Sequence, residues 1–265
     1  WLGHQRFNFI RGDLLKSKDI KSIVKDCRII CHLAANPEVR LSSIAPKVHF
    51  DQNIMATYNL LEKIRRSDEV DILIFTSSST VYGDASKIPT FENSPLEPIS
   101  FYGASKLASE ALISAYARTY GFKGLIYRLA NIIGSRSTHG VVFDFIQKLQ
   151  KNPRELEILG DGTQAKSYLH VDDCVEAMLY GLKKFTNKVD VFNLGSEDRI
   201  DVKTIANIVI EEMGLRNVVY RFTEGVNGGR GWKGDVKYML LSIEKFKSLG
   251  WKPNLNSAQA IRATV

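Results

Sequence analysis

Short apolar runs alternate with amphipathic stretches along most of this chain. Val70 to Phe75 is a nearly continuous apolar run, the composition of a parallel strand buried on both faces. Cys27-Arg-Ile-Ile-Cys-His-Leu33 and Leu125 to Leu129 read the same way. Phe7-Asn-Phe-Ile10 reads as a shorter strand that ends at Gly12-Asp13. Helical patterns lie between these runs, over 14–26, over 47–66 and over 102–120. In the second, Val48, Met55, Leu60, Leu61 and Ile64 are apolar with polar residues between them. Gly121 closes the third, as a C-terminal glycine does. Pro89, Pro95 and Pro98 make 83–100 a loop.

Beyond Gly134 the pattern loosens. Helices are predicted over 141–151, 172–184, 202–213 and 243–249, and from Ala258 onward. Asp172 is the expected N-cap of the second of these. Short strands are predicted over 156–159, 167–171, 191–194 and 218–222. Gly160-Asp-Gly162 reads as a turn, and 227–234 as a glycine-rich loop carrying Arg230, Trp232 and Lys233.

Strands alternating with helices predict an α/β fold with a parallel sheet. Ligands of such sheets bind beyond the carboxyl ends of the strands. Four clusters of small or polar residues follow predicted strands: Gly12-Asp13, Ala34-Ala35, Ser77-Ser78-Ser79 and Asn131. The topology therefore collects them on one rim.

Tyr102 and Lys106, four residues apart at the start of a long helix, share one helix face. A cation beside a phenol favours the phenolate and lowers its pKa. General-base work near neutral pH needs such a shift. Phe75-Thr-Ser-Ser-Ser-Thr-Val-Tyr-Gly83 stands just upstream, so hydroxyls at a strand end and the Tyr/Lys pair meet in one short stretch.

Composition narrows the classes. An apolar fraction of 44% supports a sizeable core, and no apolar run reaches membrane-spanning length. Cys27, Cys31 and Cys174 have no metal-ligand spacing and read as buried free thiols of a reducing, cytoplasmic compartment. A net charge of +7 is spread among acids, without a basic stripe or nucleic-acid motif. It suits an anionic small substrate such as a nucleotide diphosphate. A dinucleotide-binding sheet opens with a strand, a Gly-rich turn and a helix. That opening is not in this sequence, which is expected to be part of a longer chain.

Tyr102-x-x-x-Lys106, Ser78, His32-Leu-Ala-Ala35 and Asn53 resemble the extended short-chain dehydrogenase/reductases. Asn131, Gly160-Asp-Gly-Thr-Gln164 through His170-Val-Asp-Asp173, and the Arg230 to Gly234-Asp235 loop resemble their nucleotide-sugar epimerases and dehydratases. The resemblance implies a Rossmann-like doubly wound parallel sheet, its first strand and Gly-rich turn absent here, formed by 1–134 and 165–195. A smaller α+β substrate-binding lobe would comprise 135–164 and 196–265. It implies NAD as cofactor, a UDP-sugar such as UDP-galactose as substrate, and inversion at C4 through a transient 4-keto sugar; the rival readings are another nucleotide-sugar epimerase, dehydratase or 4-keto reductase of the family, and a non-catalytic dinucleotide sensor. Tyr102 would be the base, Ser78 its partner on the sugar hydroxyl, and Lys106 the cation that lowers the phenol pKa and holds the nicotinamide ribose. Asp13, Leu14, Leu33, Ala34, Ala35, Asn53, Ser77 and Leu129 would border the cofactor. Asn131, Lys166, Arg230 and Asp235 would hold the substrate, with Lys166 where many relatives carry arginine. Related dehydratases follow the Ser78 position with Asp-Glu; here the pair is Ser79-Thr80. The resemblance also implies a homodimer through the helices at 47–66 and 102–120, and neither nucleic-acid nor membrane partners.

Overall fold

Four apolar runs pair in parallel to make the main sheet: β1 (Ile29–His32), β2 (Ile72–Ser78), β3 (Lys123–Leu129) and β4 (Val189–Leu194), in the order β1-β2-β3-β4. The computed structural model describes residues 3–226 and 228–265. Side chains alternate across each strand, and the two faces have separate cores. Leu73, Phe75 and Ile126 face one way, against α1 (Ser17–Val24), α2 (Ala56–Ile64) and α3 (Phe101–Tyr120). Ile74, Leu125 and Tyr127 face the other way, against Cys174, Ala177 and Phe246. Helices on both faces make the sheet doubly wound, an α/β fold as the alternation predicts.

A third core, centred on Phe145, Leu156, Ile205 and Val209, lies between α4 (Val141–Lys151), the strand pair Glu155–Ile158 and Val219–Phe222, and α6 (Val202–Glu212). Before α6 in the chain comes α5 (Val171–Lys184), packed on the main sheet through Cys174 and Ala177. Ile243, Phe246 and Trp251 also return to the main sheet, although they fall between stretches of the third core in sequence, whose last members are Ala260 and Ile261. A fourth cluster joins Val81 and Tyr82 to Val236, Met239 and Leu241 at the seam.

Several expectations change. Phe7–Ile10 is an exposed loop, not a strand: Phe9 is 67% exposed, so no burial rewards extended pairing there. Gly12-Asp13 therefore follows no strand and does not join the rim. β2 runs on to Ser78, so Ser77 and Ser78 belong to the strand. Asp172 is not the N-cap of α5. His170 is, its ring nitrogen accepting from the Asp172 N–H at 3.3 Å, and both Asp172 and Asp173 lie in the first turn. The helix over 47–66 is broken into Pro46–His49, a π-helical turn Phe50–Met55, and α2. Of the cysteines expected to be buried, Cys174 is buried, Cys27 is half-buried and Cys31 is exposed on the edge strand.

Candidate active site

The end of β2 and the start of α3 make the first wall of a cleft of about 530 Å³. Ser78 is the last residue of β2 and caps the tight turn Ser79–Tyr82. Its Oγ accepts from the Thr80 N–H at 3.2 Å and from the Thr80 hydroxyl at 2.9 Å. With both acceptor positions used, its own proton goes to the Tyr102 phenol, to which it is hydrogen-bonded. Ser100 starts α3 by accepting from the Gly103 N–H at 3.1 Å. Gly103 permits the approach of helix to turn, because a Cβ there would lie 2.5 Å from the Thr80 carbonyl oxygen. The sequence S-x-x-G thus brings Tyr102 to Ser78.

Lys106 lies one turn further along, 3% exposed. Its ammonium donates to the Thr76 carbonyl at 2.8 Å and stands 4.7 Å from the Phe75 ring centre. Burial pulls its pKa down to about 8, against an upward pull from Glu110. Tyr102 departs from expectation. Burial pushes its pKa up to about 12, and the Ser78 hydrogen bond is what opposes the rise. Lys106 sits 6.0 Å from the phenol ring centre, is engaged with Thr76 and is itself desolvated, so it does not offset the burial.

The facing wall comes from the second half of the chain. Asn131 donates from Nδ2 to the Ser167 carbonyl at 3.1 Å. Lys166 pairs with the buried Asp235 at 2.6 Å, and the Gly231 N–H reaches the other Asp235 oxygen at 3.2 Å. Trp232 lies between two cations, 5.5 Å from Lys166 and 5.9 Å from Arg40. Arg230 lies outside the lining, behind Asp235, and forms a fork with Asp84.

Of the residues singled out in the sequence, Leu33, Ala35, Ser77, Ser78, Tyr102, Lys106, Leu129, Asn131, Lys166 and Asp235 line this one cleft. Ser77 turns its hydroxyl to the buried Glu110, away from Ser78, as strand alternation requires. Asn53 is a latch outside the lining: Oδ1 accepts from the Asn36 N–H at 2.7 Å and Nδ2 donates to Ser105 at 2.9 Å. Ala34 is exposed beside the lining. Asp13 and Leu14 stand apart. Asp13 caps a turn through the Leu15 N–H, and the Leu14 carbonyl accepts from Asn59. Sequence reading assigned no role to Thr80, Trp232, Glu38 or Arg40, all of which line the cleft. Thr80 stood in the serine run and Trp232 in the glycine-rich loop; nothing in the sequence marked Glu38 or Arg40.

The residues present fit a dinucleotide. An ammonium has three donors, and among the described residues Lys106 uses one of them on Thr76. A buried cation with donors left over suits the vicinal hydroxyls of a ribose. Leu33, Ala35 and Leu129 supply the apolar walls that a flat ring needs.

A family model described as "NAD dependent epimerase/dehydratase family" matches residues 2–195. A putative UDP-glucose 4-epimerase of Methanocaldococcus jannaschii is 34% identical over 264 residues, 97% of this chain and 82% of that protein. The crystal structure of a UDP-galactose 4-epimerase superposes with a TM-score of 0.85 at 44% identity, covering 95% of this chain and 80% of its own. UDP-glucuronic acid 4-epimerase from Bacillus cereus, in complex with UDP-glucuronic acid and NAD, superposes at 0.88 with 28% identity, covering 99% and 82%. With that family model spanning most of its length, the chain belongs to the NAD-dependent epimerase/dehydratase family.

Proposed function

We propose that this protein inverts C4 of a UDP-hexose, interconverting UDP-galactose and UDP-glucose. The observation that carries the reading is the Thr80–Ser78–Tyr102 hydroxyl chain with Lys106 one turn away, in a cleft that has no carboxylate at positions 79 and 80. Loss of water from the sugar needs an acid and a base near C5 and C6, and hydroxyls are neither at neutral pH. Inversion needs only that a proton leave and return at the 4-hydroxyl.

NAD, when bound, supplies reversible two-electron chemistry at the sugar C4 and a positive charge that favours an ionised phenol. Tyr102 takes the proton of the 4-hydroxyl and later restores it. Ser78, donating to the phenol oxygen, stabilises the phenolate as charge develops, and Thr80 in turn donates to Ser78. Lys106 holds the cofactor ribose. Leu33, Ala34, Ala35 and Leu129 border the cofactor, while Ser77 and Asn53 brace that wall from behind. Asn131, Lys166 and Arg230 address the diphosphate, and Asp235 the nucleoside ribose. In this division 1–134 with 165–195 carry the cofactor, and 135–164 with 196–265 carry the sugar nucleotide.

A neutral sugar fits better than a uronate. The cations lining the cleft away from Lys106 already have carboxylate partners: Arg40 with Glu38 at 3.1 Å, Lys148 with Glu157 at 2.9 Å, Lys166 with Asp235. A uronate carboxylate would have to displace one of these partners, a cost smallest at the partly exposed Arg40–Glu38 pair and absent for a neutral sugar. The test is conversion of UDP-galactose and of UDP-galacturonate by protein supplied with NAD, followed by chromatography. UDP-galactose is expected to turn over at least about ten-fold faster, a difference of one displaced charge contact. Faster turnover of the uronate contradicts the assignment. Pairing of two copies through the broken helical stretch 47–66 and α3, the helix predicted over 102–120, belongs to the same reading. Phe50, Tyr58, Phe101 and Tyr120 are exposed there, and sedimentation at micromolar concentration should give the mass of a dimer.

A further inference from the structure

We infer that Asp84 is an internal counter-ion in the place of the substrate diphosphate, and that a nucleoside diphosphate binds by displacing it from Arg230. The inference rests on the UDP-sugar reading above. Both Arg230 amino groups donate to Asp84, Nη1 to Oδ1 and Nη2 to Oδ2, each at 2.9 Å. A guanidinium offers the same two-pronged fork to a carboxylate and to a phosphate, so one anion can stand in for the other. Nη1 also donates to the Asp235 carbonyl at 2.5 Å, which holds the guanidinium against the residue whose carboxylate pairs with Lys166. Lys166 in the lining and Arg230 just behind it therefore each carry an internal carboxylate.

The two carboxylates differ in how they are held. Asp235 is 3% exposed and is tied to the Gly231 N–H as well as to Lys166, so leaving would strand it without water. The Asp84 side chain is 45% exposed, and water can replace Arg230 on it at once. Partly exposed ion pairs are weak, and a diphosphate presents more charge than a carboxylate. Exchange therefore runs towards the substrate at Arg230, while Lys166 keeps its partner. The backbone at Arg230 is held, since Val226 and Arg230 close a loop through paired backbone hydrogen bonds, so the guanidinium keeps its place and Asp84 is the partner that leaves. On the other side Gly83, at φ +61, sets the direction of the chain into Asp84; a Cβ there would lie 2.0 Å from the Glu97 carbonyl. Asp84 follows the turn that holds Ser78 and Thr80, whose end stays anchored through the buried Tyr82 when Asp84 leaves.

UDP titrated calorimetrically into the wild type and into Asp84→Asn tests this. The variant is expected to bind UDP roughly three- to five-fold tighter, the effect of removing a competing, partly exposed charge. The gain should disappear in the Arg230→Gln background, because the two residues act through one contact. Asp84→Ser repeats the measurement with a shorter side chain, and a thermal unfolding curve shows which variant is folded. Equal or weaker UDP binding by the folded variants overturns the inference, and leaves Asp84 as a clasp that steadies the loop for substrate. No UDP binding by the wild type would sink the UDP-sugar reading itself.

Discussion

Tyr102→Phe is expected to lower kcat about 10³-fold or more, the usual worth of a positioned acid or base. The substitution removes one oxygen and keeps the ring, so packing around it should hold. His49, buried and edge-on to the phenol at 5.7 Å between ring centres, meets the ring and not the hydroxyl. Ser78 loses its acceptor but keeps the two bonds it accepts from Thr80, so the turn stays in place. UDP affinity should therefore remain within about two-fold of wild type, which marks a group that acts on the transition state rather than on ground-state binding. The pH dependence follows from the same site. Burial raises the phenol, so the wild type should gain activity as pH rises towards the phenol pKa set in the complete site. The variant should lack that limb. Steady-state rates across pH, with calorimetric UDP binding alongside, make the check.

Glu110→Gln should be the most destabilising polar substitution near the site. Glu110 on α3 and Arg128 on β3 form an ion pair whose side chains are 6% and 5% exposed. Three Arg128 N–H contacts reach the carboxylate, the shortest at 2.7 Å. The rest of the guanidinium donates to the Tyr82 hydroxyl and to the Glu92 carbonyl, both at 2.9 Å. Tyr82 in turn donates to Asn193 at 2.8 Å, which ties β4 into the same network. Removing one member strands a buried cation, which costs about 3–5 kcal/mol. In urea the midpoint should fall with little change in slope. Arg128→Met placed on top of Glu110→Gln should recover part of the loss, since the stranded charge goes with it. A loss below about 1 kcal/mol would mean that water reaches the pair. Activity should fall as well, because Ser77, bonded to Glu110, adjoins Ser78, and because Glu110 is what draws the Lys106 pKa upward.

The sequence made legible whatever local pattern controls. Continuous apolar runs marked the buried strands, Gly121 ended α3 at φ +94, and a four-residue spacing put Tyr102 and Lys106 on one face. The serine run was legible as a strand end, though β2 extends through Ser78. Contacts between distant residues were not legible. Asp84 meets Arg230 across 146 positions, and Lys166 meets Asp235 across 69. No periodicity encodes either pair, so Arg230, Lys166 and Asp235 read as ligands for substrate when each already has a carboxylate or cation beside it, and Asp84 was not marked at all. Burial was the other blind spot. A motif shows which groups are neighbours but not how little water reaches them, and for Tyr102 the missing water outweighs the neighbouring lysine. His170 shows a third kind of miss: an imidazole can accept an N–H as an aspartate does, and here it took the capping position from Asp172.

The most direct measurement uses UDP-galactose carrying deuterium at C4, incubated with the protein and NAD in ordinary water. The account predicts UDP-glucose that keeps the deuterium at C4, since only the hydroxyl proton passes through Tyr102 and Ser78. No UDP-glucose, or UDP-glucose with its C4 label exchanged for solvent hydrogen, would contradict it.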